Sequence, residues 1–113
     1  MKNDRIRLLH IKESLERSVS YCQTGKEFFL KDIKTQDAVI RNLEVIGEAV
    51  KHLSLKLKRA HKDVSWKRVA GMRDKLIHDY FGVNVALVWE TVQKEVPLLL
   101  KKIEEILGSS SKI

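Results

Sequence analysis

Apolar residues recur at helical spacing along nearly the whole chain, and no stretch alternates as a half-buried strand would. Leu8, Ile11, Leu15, Val19 and Cys22 follow steps of three and four, which predicts an amphipathic helix from about Asp4 to Cys22. Asn3 or Asp4 offers a side-chain oxygen to the free donors of its first turn. Gln23-Thr24-Gly25 breaks the pattern. Lys26 to Lys34 is too short to assign by periodicity and reads as a helical turn laying Phe28, Phe29, Leu30 and Ile33 over the core. The clearest stripe is Val39, Leu43, Ile46, Val50, Leu53 and Leu57. It predicts a second helix capped by Thr35, with Asp37 in its first turn and its end near Arg59-Ala60-His61. Gly47 sits beside that stripe, where a missing side chain lets another helix approach closely.

Ser65 is placed to cap a third helix from about Trp66 to Phe81, which Gly82 ends by tolerating a left-handed backbone. Asn84 opens the fourth, whose stripe runs Val85, Val88, Val92, Val96, Leu99, Ile103, Ile106. The phase is unbroken across Pro97, so one helix bent at that residue is expected, with two abutting helices as the alternative. Gly108-Ser109-Ser110-Ser111 stops it, leaving a domain over residues 1–107 and a tail over 108–113. Four main helices with short connections define an all-α antiparallel bundle of four or five helices.

A chain of 113 residues forms one domain with a single modest core. It has no apolar run long enough to span a membrane, and Met1-Lys2-Asn3-Asp4-Arg5 leads into no signal-peptide core. The lone Cys22 forms no internal disulfide, and no cysteine–histidine cluster suggests zinc. A reduced, cytoplasmic setting is the simplest expectation. The net charge of +7 is unevenly spread. Lys51, Lys56, Lys58, Arg59, Lys62, Lys67 and Arg68 stand against Asp63 alone, placing +6 in that one segment. Such a concentration attracts polyanions and makes their binding salt-sensitive, unless it is only a solvated helix face.

Candidate chemistry is confined to Gly71-Met72-Arg73-Asp74-Lys75-Leu76-Ile77-His78-Asp79-Tyr80-Phe81. Arg73 carries a permanently charged fork suited to phosphate, and His78 moves protons near neutral pH. Together they point to phosphodiester chemistry, with RNA as the natural substrate. On an ideal helix Tyr80 returns to within about 20° of Arg73, whereas His78 lies about 140° away. One straight helix is therefore a poor active site by itself. Either the helix distorts or a second copy completes the site, and a two-fold homodimer doubles the local Arg and His. The plainer reading makes His78 a hydrogen-bonded neighbour of the core and Tyr80 a packing residue.

Other residues add less. Lys67 and Arg68, a turn or two before Arg73, are placed to hold an RNA backbone. Glu44 and Glu48 mimic a metal pair, but no third ligand is in phase, so they read as facing solvent or a partner. Trp66 and Trp89 fit packing better than base stacking. His10, His52 and His61 share no ligand spacing, and no metal or cofactor is assigned.

Four blocks carry a wider likeness. They are Arg41-Asn42-Leu43-Glu44-Val45-Ile46-Gly47-Glu48-Ala49, Ser65-Trp66-Lys67-Arg68-Val69-Ala70-Gly71-Met72-Arg73, His78-Asp79-Tyr80-Phe81 and Val88-Trp89-Glu90. In that order they closely resemble the HepT-like branch of HEPN domains, over about Asp4 to Leu107. Arg73, His78 and Tyr80 match that family's R-x4-H-x-Y motif without departure. The resemblance implies an all-helical HEPN bundle that dimerises, a metal-independent ribonuclease site at the dimer cleft and a toxin role. It also implies an antitoxin partner resembling a minimal MntA-type nucleotidyltransferase, which attaches AMP to the motif tyrosine, here Tyr80.

The residues suit that chemistry. RNA carries its own nucleophile, the 2′-hydroxyl beside the scissile phosphate. The enzyme must align the two, move two protons and offset charge on the phosphoryl oxygens. His78 is the candidate for proton transfer, with a second His78 across the dimer as its partner, and Arg73 is the candidate for holding phosphate. A 2′,3′-cyclic phosphate product is expected. The alternative is a non-catalytic subunit that presents substrate to, or regulates, a nucleotidyltransferase, using the same motif to bind nucleotide phosphate.

Overall fold

Burial follows the stripes. Leu8, Ile11 and Leu15 have no exposed surface, and neither do Val39, Leu43, Ile46 and Val50 on the element they face. The computed structural model describes residues 2–72, 74 and 84–109. In chain order its helices are α1 (Lys2–Tyr21), α2 (Lys26–Lys31), α3 (Ile33–Lys51), α4 (Leu55–Ala60), α5 (Trp66–Ala70), α6 (Val85–Lys94) and α7 (Val96–Gly108). No strand occurs among the described residues, so the all-α bundle is the observed class. Helix α1 packs along α3 and α7, which puts the core between these three with α6 closing a further side. Each fully buried aliphatic side chain in that layer contributes roughly 1.5–3 kcal/mol.

The Lys26–Lys31 segment is a true helix, but of the four apolar residues expected over the core only Phe29 is buried, and Phe28, Leu30 and Ile33 are exposed. The helix inserts a fully buried Phe29, whose ring lies 5.5 Å from that of Trp89 at 45°. Trp89 therefore packs, as does Trp66. Cys22 is buried beside the core, and burial pushes its thiol up to about 11.

Several boundaries differ from those the pattern predicts. Helix α1 begins at Lys2, so Asp4 lies inside its first turn. Asp4 does not cap its own helix. Its buried carboxylate accepts from the Ser54 N–H at 2.9 Å and from the Ser54 hydroxyl at 2.6 Å. Ser54 in turn accepts from the Leu57 N–H at 3.1 Å and starts α4. The predicted second helix is thus two helices. It ends at Lys51, turns through His52 and Leu53, and restarts under the Ser54 cap. Leu53 and Leu57 stay buried across this break, which is why the stripe conceals it. At the other end of α3 the cap is Asp32, which accepts from the Thr35 N–H at 3.2 Å and the Thr35 hydroxyl at 2.5 Å. Thr35 is the donor here and not the cap.

The Pro97 region resolves as the alternative, two abutting helices that meet at Glu95. Proline stands in the first turn of α7, where its missing N–H costs nothing. Val88, Val92, Val96, Ile103 and Ile106 remain buried through the joint, and Asn84 caps α6 as expected, accepting from the Leu87 N–H at 3.1 Å.

Candidate active site

Arg73, His78 and Tyr80 lie outside the described residues, as do Phe81 and Gly82. What the structure shows is the frame on either side of the motif.

The lead-in is α5, fixed by three contacts. Trp66 is buried and its indole N–H donates to the His61 carbonyl at 3.0 Å. Val64 is buried with it. At the far end of the helix, the carbonyls of Ala70 and Val69 lie 3.1 and 3.5 Å from where a Cβ on Gly47 would stand. The missing side chain therefore lets α5 seat its C-terminal carbonyls directly on α3, as the sequence suggested. Ser65 occupies the N-cap position, but only its carbonyl serves there, accepting from the Val69 N–H at 3.0 Å. Its side chain makes no cap bond. The helix predicted to run on from Trp66 stops at Ala70 and turns at Gly71, and Met72 and Asp74 are helical again. Glycine is the weakest helix former after proline, and this one follows a helix end already docked on α3, so a break at this point is physically reasonable. The far side of the motif is closed by the Asn84 cap of α6. The motif therefore runs between two anchored points.

One cleft flanks α5 and a second lies on α3. The larger, about 470 Å³, lies between α5 and the α6–α7 joint, with Val69, Met72, Leu87 and Leu99 among its apolar walls. Arg68 reaches across its rim to Glu95 at 2.8 Å. The second, about 390 Å³, follows α3 along Arg41, Glu44, Val45, Glu48 and Lys51. Glu48 pairs with Lys51 at 3.6 Å, and no cluster of three His, Cys, Asp or Glu suited to a metal ion occurs among the described residues.

The two cations proposed for RNA are not equivalent. Lys67 is exposed and has no ion-pair partner among the described residues, whereas the Arg68 guanidinium is engaged by Glu95. Sequence spacing has no access to this distinction, because Glu95 is distant along the chain.

The fold is an all-α bundle in which α5 and the Asn84 cap of α6 stand on either side of the stretch that carries Arg73, His78 and Tyr80 in the sequence. The ribonuclease HepT-like family matches residues 11–106, and the chain belongs to that family. It is 47% identical over 108 residues to "Putative RNase TTE0752" of Caldanaerobacter subterraneus subsp. tengcongensis, covering 95% of this chain and 96% of that one. It is 52% identical over 80 residues to "Probable ribonuclease HepT" of Thermococcus cleftensis, covering 71% and 73% of the two chains. A "Gamma-glutamylcyclotransferase and putative RNase MJ0434" of Methanocaldococcus jannaschii is 42% identical over 113 residues, 98% of this chain but 50% of its own length. No solved structure matches at a significant level.

Proposed function

We propose that this protein is a metal-independent endoribonuclease that cleaves RNA through the substrate's own 2′-hydroxyl. The single observation that carries the reading is an unbroken R-x4-H-x-Y motif, Arg73, His78 and Tyr80, inside a chain of the ribonuclease HepT-like family. His78 moves the protons, and Arg73 holds the phosphate and offsets the charge that develops on its oxygens. Lys67 steadies the RNA backbone nearby, with Arg68 in a lesser part because Glu95 already engages it. A homodimer completes the site with a second motif.

The same reading makes the protein the toxin of a pair. Its antitoxin is an MntA-type nucleotidyltransferase that attaches AMP to Tyr80, placing bulk and negative charge where the RNA phosphate approaches. A lone, buried Cys22 suits the reducing conditions of the cytoplasm. No helix among the described residues is long and apolar enough to cross a membrane.

The test is cleavage of a mixed RNA by purified protein in excess chelator, with Arg73→Ala and His78→Ala beside the unaltered chain. The reading requires cleavage by the unaltered protein alone, with both variants folded and dimeric. RNA binding without cleavage by the unaltered protein supports the binding-subunit alternative instead.

A further inference from the structure

The basic segment noted in the sequence resolves into cations that are engaged and cations that are not. Lys51 pairs with Glu48 and Arg68 with Glu95. Lys56, Lys58, Arg59, Lys62 and Lys67 make no ion pair with any described residue. All but Lys58 are exposed, and Lys58 is half-buried. The segment's one carboxylate, Asp63, is taken by Lys102 of α7 at 2.6 Å. That hydrogen bond holds the Asp63 carboxyl below its ordinary range, so it stays ionised and matched to Lys102. Nothing acidic is left in this stretch to neutralise its cations.

The segment is also anchored to the core. Leu57, Val64 and Trp66 are buried there, and the linker is pinned by Val64 N–H to the His61 carbonyl and by the indole of Trp66 to the same carbonyl. On α4, Leu57 points inward, so Lys56 and Lys58 flank it at about 100° on either side and Arg59 lies about 160° from it, on the outward face. The cations are thus held on a fixed frame, which reduces the ordering cost of binding a chain of phosphates. Position completes the picture. The α4 end of α3 is the end nearer Gly47, where α5 delivers the chain to the motif, with Arg73 only three residues after Ala70. Helix α2, with the exposed Lys26 and Lys31, lies at the opposite end of α3, about 28 Å away along a helix of this length.

We infer that Lys56, Lys58, Arg59 and Lys62 form a phosphate track on α4 and its linker, continuous with Lys67, that holds substrate RNA several nucleotides from the scissile bond. The ribonuclease reading supplies only the name of the polyanion. The track makes the enzyme favour RNAs that extend past the cleavage point on one side, and it reads backbone charge without reading bases.

The experiment measures binding of single-stranded RNAs of about 4, 8 and 16 nucleotides, methylated at every 2′-oxygen to prevent cleavage. Three proteins are compared: the unaltered chain, Lys56→Gln/Arg59→Gln/Lys62→Gln, and the charge-matched control Lys26→Gln/Lys31→Gln/Lys34→Gln. Circular dichroism confirms the helicity of each. Should the triple variant fail to fold, Lys56→Gln/Lys62→Gln and Arg59→Gln are scored in its place. The track predicts that the first triple variant binds the longest RNA at least tenfold more weakly. Its log K against log salt slope should fall by about 0.7 for each lost phosphate contact, about 2 in all. The control keeps most of both, and the deficit shrinks for the shortest RNA. Equal losses in the two variants, or a deficit independent of RNA length, overturn the track. Unchanged RNA binding with lost antitoxin binding also overturns it and assigns the surface to an acidic protein. Because the probe is uncleavable, a protein that proves to have no nuclease activity still returns a clear result on the track.

Discussion

Removing the Asp4 carboxylate should unfasten α1 from α4. Asp4 sits in the first turn of α1 and is 3% exposed. It accepts two hydrogen bonds from Ser54, at 2.9 Å from the N–H and 2.6 Å from the hydroxyl, across 50 residues of sequence. Hydrogen bonds to a charged group are each worth about 1.5–3 kcal/mol when the partner is left behind, and a serine N-cap about 1 kcal/mol. The two bonds to Ser54 share a single acceptor group, so their sum overstates the loss. Asp4→Ala should therefore cost about 2–3 kcal/mol, and Ser54→Ala about 2 kcal/mol, because it removes both the cap and one partner of Asp4. For a domain of this size the Asp4 change lowers Tm by about 10 °C. The assay is urea unfolding at one fixed protein concentration, since any self-association feeds into apparent stability. A double-mutant cycle between the two positions should return a coupling of about 1.5 kcal/mol. Asn3→Ala, at an exposed neighbour that sequence alone made an equal candidate for the helix cap, should stay within about 0.5 kcal/mol. Additive effects at Asp4 and Ser54, or a larger loss at Asn3 than at Asp4, would refute the assignment.

Three further outcomes are expected. Gly47→Val drives methyl groups into the carbonyls of Ala70 and Val69 and should cost about 1–3 kcal/mol, with RNA cleavage falling further than the folded fraction does; unchanged unfolding curves would show that α5 does not dock there. The Cys22 thiol is raised from its ordinary 9.0 to about 11 in the fold, so the folded state favours the protonated form. Its contribution is intact below about pH 9 and is lost as pH rises toward 11, by about 2–3 kcal/mol. Cys22→Ala should flatten that alkaline loss in unfolding measured from pH 8 to 11, and an unaltered slope would contradict it. Co-expression with the antitoxin should add AMP mass to a peptide containing Tyr80 and none to Tyr80→Phe, as read by mass spectrometry; modification of Tyr21 instead would assign control to another residue.

Much of this fold can be read from apolar spacing, because a helix that buries one face must repeat every three or four residues. The stripes on α1, α3, α6 and α7 are such cases, and Gly47 was legible because a residue without a side chain beside a buried stripe implies a close neighbour. The break before α4 was not. Leu53 and Leu57 keep the phase of α3, and the residue that organises the restart, Ser54, is held by Asp4 from the opposite end of the sequence. Periodicity carries no record of a contact between such distant positions. Asp32 and Thr35 show a milder form of the same problem, since both are good caps and only geometry tells acceptor from donor. For the site, composition located the basic segment and the motif. It gave no means of separating Arg68, engaged by Glu95, from Lys67, or of seeing that Lys102 neutralises Asp63.

The most direct test of the central claim is the chemistry of the ends left on RNA. Purified protein, free of antitoxin and in excess chelator, is incubated with an end-labelled RNA and the products are analysed by their termini. Attack by the 2′-hydroxyl predicts a 2′,3′-cyclic phosphate on one fragment and a 5′-hydroxyl on the other, with no product from His78→Ala. Fragments ending in a 3′-hydroxyl and a 5′-phosphate, or cleavage that requires added metal, would contradict it.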